Sequence, residues 1–425
     1  MIKIIDLSKY SFIREKINII LNFTIILYAF VIPFQYYITK QVVEILIILW
    51  VLSFNYLAVI NLLRVNRIFQ TIIALSVLIF LSYFWSGDYP NTVYGDIKVF
   101  FKSYGYFFLF PIIIITSSLK AKYISFVIYS FLASMFVNEI ISYGIFFEFW
   151  TTPSGTPFNP VPFQISHITY SVFVAFSILL SFYKIKQIKN KLLKLIFIFF
   201  FITMSINLFM SAGRTGQIAL LLTLFVLILI YFRQDLKKIF FLFFSTITIF
   251  IFAYFSVNTF NVRINTAIKD ISMLINSEKI QTSSLGDRLM AFNATMYIIE
   301  PKNLLFGVGM GDKEEYVKKR LQEEDYPHKL DNFLEYGRLH NMYLEMLISN
   351  GIIGLLLLLF LFYSVLKVNI LDNHLKYISY VTGLVFMFVA LPGDIFFFYE
   401  MMLLFGLFLS LIIVQYNFEQ ETLKK

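Results

Sequence analysis

The sequence predicts an all-α, polytopic integral membrane protein, and three observations carry that prediction. Of the 425 residues, 59% are apolar and only 14% charged, whereas a soluble chain carries about a quarter of its residues as charges. Apolar stretches of about 20 residues, long enough to cross roughly 30 Å of hydrocarbon, recur along the chain. The 35 Lys and Arg exceed the 26 Asp and Glu, and they gather in alternate connecting segments, as the positive-inside rule demands. A water-soluble multidomain enzyme is thereby excluded. The absence of cysteine also removes disulfides, thiolate metal sites and a cysteine nucleophile.

About twelve transmembrane helices are expected, over 17–38, 42–61, 68–85, 99–117, 123–147, 166–183, 193–210, 216–232, 239–257, 341–366, 376–391 and 395–417. The chain divides into spans 1–9 within 1–257, a large structured outer loop at 258–340, and spans 10–12 within 341–425. The first span follows MIKIIDLSKYSFIREK and precedes no small-residue cleavage site, so it reads as a retained helix. An even span count puts both termini on one side. With a cytoplasmic amino terminus, the inner segments hold 20 of the 35 basic residues and a net charge of +14, against −1 for 258–340 and −4 for the remainder. The overall +9 is therefore cytoplasmic anchoring, and no outward basic patch for nucleic acid remains.

Three outward segments stand apart. Glu148 to Ile165 (EFWTTPSGTPFNPVPFQI) has four Pro and no Lys or Arg, which reads as an ordered cap or a plain connector. SAGRTGQ, 211–217, carries a lone arginine, Arg214. Two readings are open for it: an anchor snorkelling to the interface, or an anion-binding turn in which Gly213 and Gly216 let a ligand approach the backbone.

The third segment is the long loop. Leu285, Leu289, Phe292, Met296 and Ile299 recur at the spacing of one stripe of an amphipathic helix. Ser284 and Asp287 give it a capping-box-like start and Pro301 its end. Arg288 falls in the first turn, off that stripe, where a cation opposes the helix dipole unless an acid or an anionic ligand faces it. Gly307, Gly309 and Gly311 read as a tight turn, and Lys313 to Asp325 as a solvated, charge-dense face.

Leu339 to Gly354 (LHNMYLEMLISNGIIG) is the best site candidate, placing His340, Asn341 and Glu345 where span ten leaves the membrane. Asn341 and Glu345 share a helix face, and Gly351 and Gly354 suit close helix packing. Of the four histidines, His374 falls inside, His328 in the charged stretch and His167 at the start of span six. His340 alone joins an outer location to polar neighbours, which suits a general base as well as a helix-end histidine bonded to a carbonyl.

In these motifs the chain resembles the O-antigen ligase and polymerase superfamily of bacterial envelope glycosyltransferases. The motifs are SAGRTGQ around Arg214, SSLGDRLMAFNATMYIIEPKNLLFGVGMG around Arg288, LHNMYLEMLISNGIIGLLLL around His340 and LPGD around Asp394; none is specific alone, but their order and placement together are. The resemblance implies transfer of a glycan from undecaprenyl diphosphate to an acceptor hydroxyl, inverting and without metal or other cofactor, at the periplasmic face of the bacterial inner membrane. It implies that Arg214 and Arg288 clamp the diphosphate, that His340 takes the acceptor's proton, and that Asn341, Glu345 and Asp394 support. The acceptor would be lipid A-core for a ligase or a lipid-linked repeat unit for a polymerase. SSLGDRL and LPGD look closer to the ligase. A transporter or flippase instead expects mid-membrane charge, broken helices and internal repeats; Glu44 and Glu139 are the main intramembrane acids, and no clear repeat is visible.

Overall fold

The structure is a computed structural model, and it describes residues 7–86, 97–163, 165–275, 288, 291–292, 295–322 and 339–424. The described residues are helical, without β-strands, and one isolated bridge pairs Thr156 with Asn159. The helices are α1 (Leu7–Val31), α2 (Tyr36–Ser53), α3 (Tyr56–Val65), α4 (Arg67–Leu81), α5 (Ile97–Tyr104), α6 (Phe110–Ser118), α7 (Ile124–Phe146) and α8 (His167–Gln187). They continue as α9 (Lys191–Met210), α10 (Arg214–Phe232), α11 (Leu236–Ser256), α12 (Asn258–Ile275), α13 (Lys313–Gln322), α14 (Met342–Leu366), α15 (Asn373–Val389) and α16 (Tyr399–Leu423).

Polar residues start many of these helices. Asn66, Ser166, Asn190, Asp235 and Asp372 each accept a hydrogen bond from the backbone N–H three residues on, satisfying a donor that hydrocarbon would leave bare. Among the described residues, ten helices are long and apolar enough to cross a membrane, which makes this an all-α polytopic membrane protein. The other two expected spans are also helical, as α1 and the 17-residue α15.

The core runs down α8 and α16, each with 78% of its apolar window buried, whereas α11 at the periphery has 6%. Phe176 meets Phe408 with ring centroids 4.5 Å apart, and Phe386 meets Phe405 at 4.4 Å. Lipid hydrocarbon is as apolar as these side chains, so such close packing, not water exclusion, holds the centre.

Two spans depart from the continuous helices expected. Span 42–61 breaks at Phe54, which has φ 57; Asn55 there donates to Asn18 Oδ1 (2.7 Å) and Ser118 Oγ (3.0 Å), fixing the break against neighbouring helices. Span 341–366 is interrupted at Gly351, where φ is 65 and ψ −164. A straight helix would separate Tyr343 from Phe362 by about 28 Å, yet their ring centroids are 6.3 Å apart. The first half of α14 therefore folds back toward the second. Only 352–366 continues down the bundle, so this helix is not one straight crossing.

The turn 304–309 fills the break. Val308 and Gly309 donate to the carbonyls of Ile348 and Ser349 (both 2.9 Å), and Ile352 N donates to Leu304 O (2.9 Å). Backbone groups freed by the break are thus satisfied by protein, as a membrane-embedded irregularity requires.

Candidate functional site

His340 is held from both sides by backbone hydrogen bonds. It lies at φ 47, in the left-handed region that costs a non-glycine residue free energy unless its surroundings over-determine it. Before it, Leu339 N donates to Glu345 Oε1 (2.7 Å). After it, Asn341 caps α14, its Oδ1 accepting from Tyr343 N (3.0 Å) and Leu344 N (3.2 Å). Met342 N then donates to Ala390 O (2.9 Å) and Gly393 O (3.1 Å). The conformation is thus built into three consecutive anchor points.

The carbonyls that receive Met342 lie in the turn 390–394, which contains LPGD, and that turn also receives Arg288, whose Nε donates to Pro392 O at 3.2 Å. Asp394 in the same turn accepts from Phe396 N (3.0 Å). Arg288, the His340–Met342 stretch and Asp394, from three separate parts of the sequence, therefore meet at residues 390–394.

Arg214 is the first residue of α10 and is half-buried. Tyr231, near the other end of α10, meets Tyr377 and Tyr380 near the start of α15, ring centroids 6.2 Å apart in each case. The two helices are hence antiparallel, and Arg214 lies at the same end of the bundle as the 390–394 turn that follows α15. Among the described residues its guanidinium makes no hydrogen bond or ion pair, and it sits where a helix N-terminus adds partial positive charge.

Gly213 and Gly216 do not face a ligand. A Cβ on Gly216 would lie 2.1 Å from Ser171 O, and one on Gly213 2.2 Å from Ser171 Cβ. They let α10 close on α8, with Gly216 N donating to Ser171 Oγ (3.1 Å). The Pro-rich segment is a cap rather than a loose connector: Asn159 Oδ1 accepts from Ala212 N (2.8 Å), pinning the arginine turn, and Pro160 O accepts from Ser142 (2.5 Å).

Glu345 is turned into the interior. It is buried and forms an ion pair with Lys313, which is itself buried, while its other oxygen takes Leu339 N. The charge-dense stretch suggested a solvated face for Lys313; two ionised groups out of water persist only when paired and hydrogen-bonded, and Glu345 supplies that pairing. No spacing in the sequence links residues 313 and 345.

The described residues of the apolar stripe divide: Phe292 and Met296 are exposed, whereas Ile299 packs against a cluster of Ala291, Ile298, Val317, Leu339, Leu344 and Ile348, and Thr295 is buried as well. In a membrane protein the most apolar face can point outward, and the smaller residues pack inward. Arg288 thereby lies on the packed side and reaches the turn. Ser284, Leu285, Asp287, Leu289 and His328 lie outside the described residues. His374 is buried and stacks on Tyr183, centroids 5.0 Å apart.

Residues 199–359 match the family described as O-Antigen ligase. An uncharacterized protein of Haemophilus influenzae is 29% identical over 213 residues, a match covering 48% of this chain and 50% of that protein. The similarity thus spans about half the length of that relative.

Proposed function

The match at residues 199–359 supports the O-antigen ligase family, an envelope-glycan function of the ligase or polymerase type, and from that premise we propose that the chain is an O-antigen ligase. In this reading it moves a glycan from undecaprenyl diphosphate to a sugar hydroxyl of lipid A-core. The convergence of Arg288, the His340–Met342 stretch and Asp394 on one turn is the observation that carries it, because each comes from a different motif of the resemblance.

The chemistry assigned to these residues is an inverting displacement. His340 accepts the proton of the acceptor hydroxyl as its oxygen bonds to the anomeric carbon, and the bond from that carbon to the diphosphate oxygen breaks on the opposite face. Undecaprenyl diphosphate leaves with the electron pair. Arg288 and Arg214 meet that growing negative charge with guanidinium forks, which suit phosphate oxygens and stay charged. Asn341 supports by capping the helix behind His340, Glu345 by holding Leu339, and Asp394 by shaping the turn.

The site end of the bundle is assigned to the periplasm and the lysine-rich end to the cytoplasm, with both termini inside and the protein in the inner membrane. A polymerase would use the same residues with a lipid-linked repeat unit as acceptor. Transport is disfavoured because the break in α14 is filled by the 304–309 backbone, so it opens no path there. The test is transfer from purified lipid-linked glycan by the purified chain. A product on lipid A-core supports the ligase; a product formed only on the lipid-linked repeat overturns it in favour of the polymerase.

A further inference from the structure

At the end of the bundle opposite Arg214, α4 begins with a cation. Arg67 is the first residue of α4 and follows the cap Asn66, whose side chain accepts from Phe69 N (3.0 Å) and donates to Asn417 Oδ1 (3.3 Å), tying the helix start to α16. A cation at a helix N-terminus opposes the dipole unless an anion faces it. Arg67 is exposed, and among the described residues its guanidinium makes no hydrogen bond or ion pair. Lys367, at the end of α14 just before α15 begins, is exposed as well, and Lys376 brings a third ammonium close by, donating to Val368 O. Lys367 suits the C-terminus of its own helix, so Arg67 is the cation that calls for an anion.

Arg67 and Lys367 line one groove of about 340 Å³ between α4 and α14, and no Asp or Glu lines it. The acids of the neighbouring turn are committed to backbone: Glu419 accepts from Leu371 N (2.6 Å) and Asp372 N (3.0 Å), and Asp372 from Leu375 N (2.8 Å). Two exposed cations on a groove without an acid suit a phosphate. The groove also continues toward lipid. Leu356, Phe360, Tyr363 and Lys367 follow one another at spacings of 4, 3 and 4 along α14, one stripe of the helix, and the first three are 58%, 45% and 56% exposed. On a membrane-spanning bundle such a stripe meets hydrocarbon, and Phe360 and Tyr363 line the groove as well. A free phosphate gains nothing from that stripe, whereas a phospholipid sets its phosphate at the cations and a chain along the rings.

We propose that this groove binds a phospholipid of net negative headgroup, its phosphate between Arg67 and Lys367 and an acyl chain along Leu356, Phe360 and Tyr363. Occupancy does not depend on the transfer reaction. The test is native mass spectrometry of the full chain in detergent, titrated with phosphatidylglycerol, phosphatidylethanolamine or phosphatidylcholine of matched acyl chains. Each cation beside an anionic headgroup contributes about fivefold, so phosphatidylglycerol is expected to bind about 25-fold more tightly than either zwitterionic lipid. Arg67→Gln and Lys367→Gln should each lower that preference about fivefold, while Arg233→Gln, an exposed arginine at the same end but outside the groove, should keep it. Tyr363→Ala should weaken all three lipids about threefold and leave the preference intact. If Arg67→Gln does not fold, Lys367→Gln decides. A full preference surviving either cation substitution, or equal binding of the three lipids, overturns the proposal. So does displacement of the lipid by glycerol 3-phosphate at equal concentration, which would give the groove to a soluble phosphate ester.

Discussion

At the residue scale, the candidate site depends on one backbone conformation. His340 occupies φ 47, and a buried ion pair behind it fixes the preceding residue through Leu339 N. Removing one partner of such a pair leaves an uncompensated buried charge, at a cost of about 3–5 kcal/mol. Lys313→Met and Glu345→Leu are each expected to lower thermal stability by about that much, and the two combined to recover much of it. Additive losses in the double variant would show that the two residues do not act as a pair. The arginines differ from each other in a testable way. Arg288 also holds the 390–394 turn, whereas Arg214 has no hydrogen-bond or ion-pair partner among the described residues. Arg214→Lys should therefore weaken transfer with little change in stability, while Arg288→Ala should lower both; thermal melts beside initial rates separate the two effects.

At the element scale, α14 is organised by its break. Gly351 sits at φ 65, and a Cβ there would lie 2.2 Å from Leu305 O, so Gly351→Ala combines backbone strain with a clash against backbone. Strain of this kind costs about 1–3 kcal/mol, and the clash adds to it, so the variant's melting midpoint should fall clearly. An unchanged midpoint would mean that the 304–309 turn is not seated in the break. This element also marks where the sequence stops being readable. The helix itself is plain in YLEMLISNGIIGLLLLLFLFY, but an apolar run looks the same whether it is straight or folded back, and Gly351 reads equally well as a packing glycine. Phe292 and Met296 are exposed while Ile299 of the same stripe packs inward, for a related reason: periodicity identifies an apolar face, not whether protein or lipid covers it. Lys313 was hidden because its partner is 32 residues away and pairs through tertiary structure alone.

At the scale of the whole molecule, composition was sufficient for the class, since 59% apolar residues leave few soluble alternatives. The motifs singled out Arg288, His340 and Asp394 as polar residues in a largely apolar chain, and the structure brings those three segments together at residues 390–394. Orientation rests on the distribution of lysine and arginine, and it can be checked directly. The chain has no cysteine, so single-cysteine variants report cleanly on sidedness. Cysteine at Lys238 is expected to be shielded from a membrane-impermeant maleimide in intact spheroplasts, and cysteine at Glu148 to be labelled. The reverse pattern would invert the topology and put the candidate site in the cytoplasm. The most direct test of the central claim is the rate of glycan transfer from lipid-linked donor by purified His340→Gln, with its thermal melt measured alongside. A general base contributes about 10²–10⁴-fold, so the expected result is a loss of about that size in a variant as stable as the wild type; a rate within a few-fold of wild type would contradict His340 as the proton acceptor.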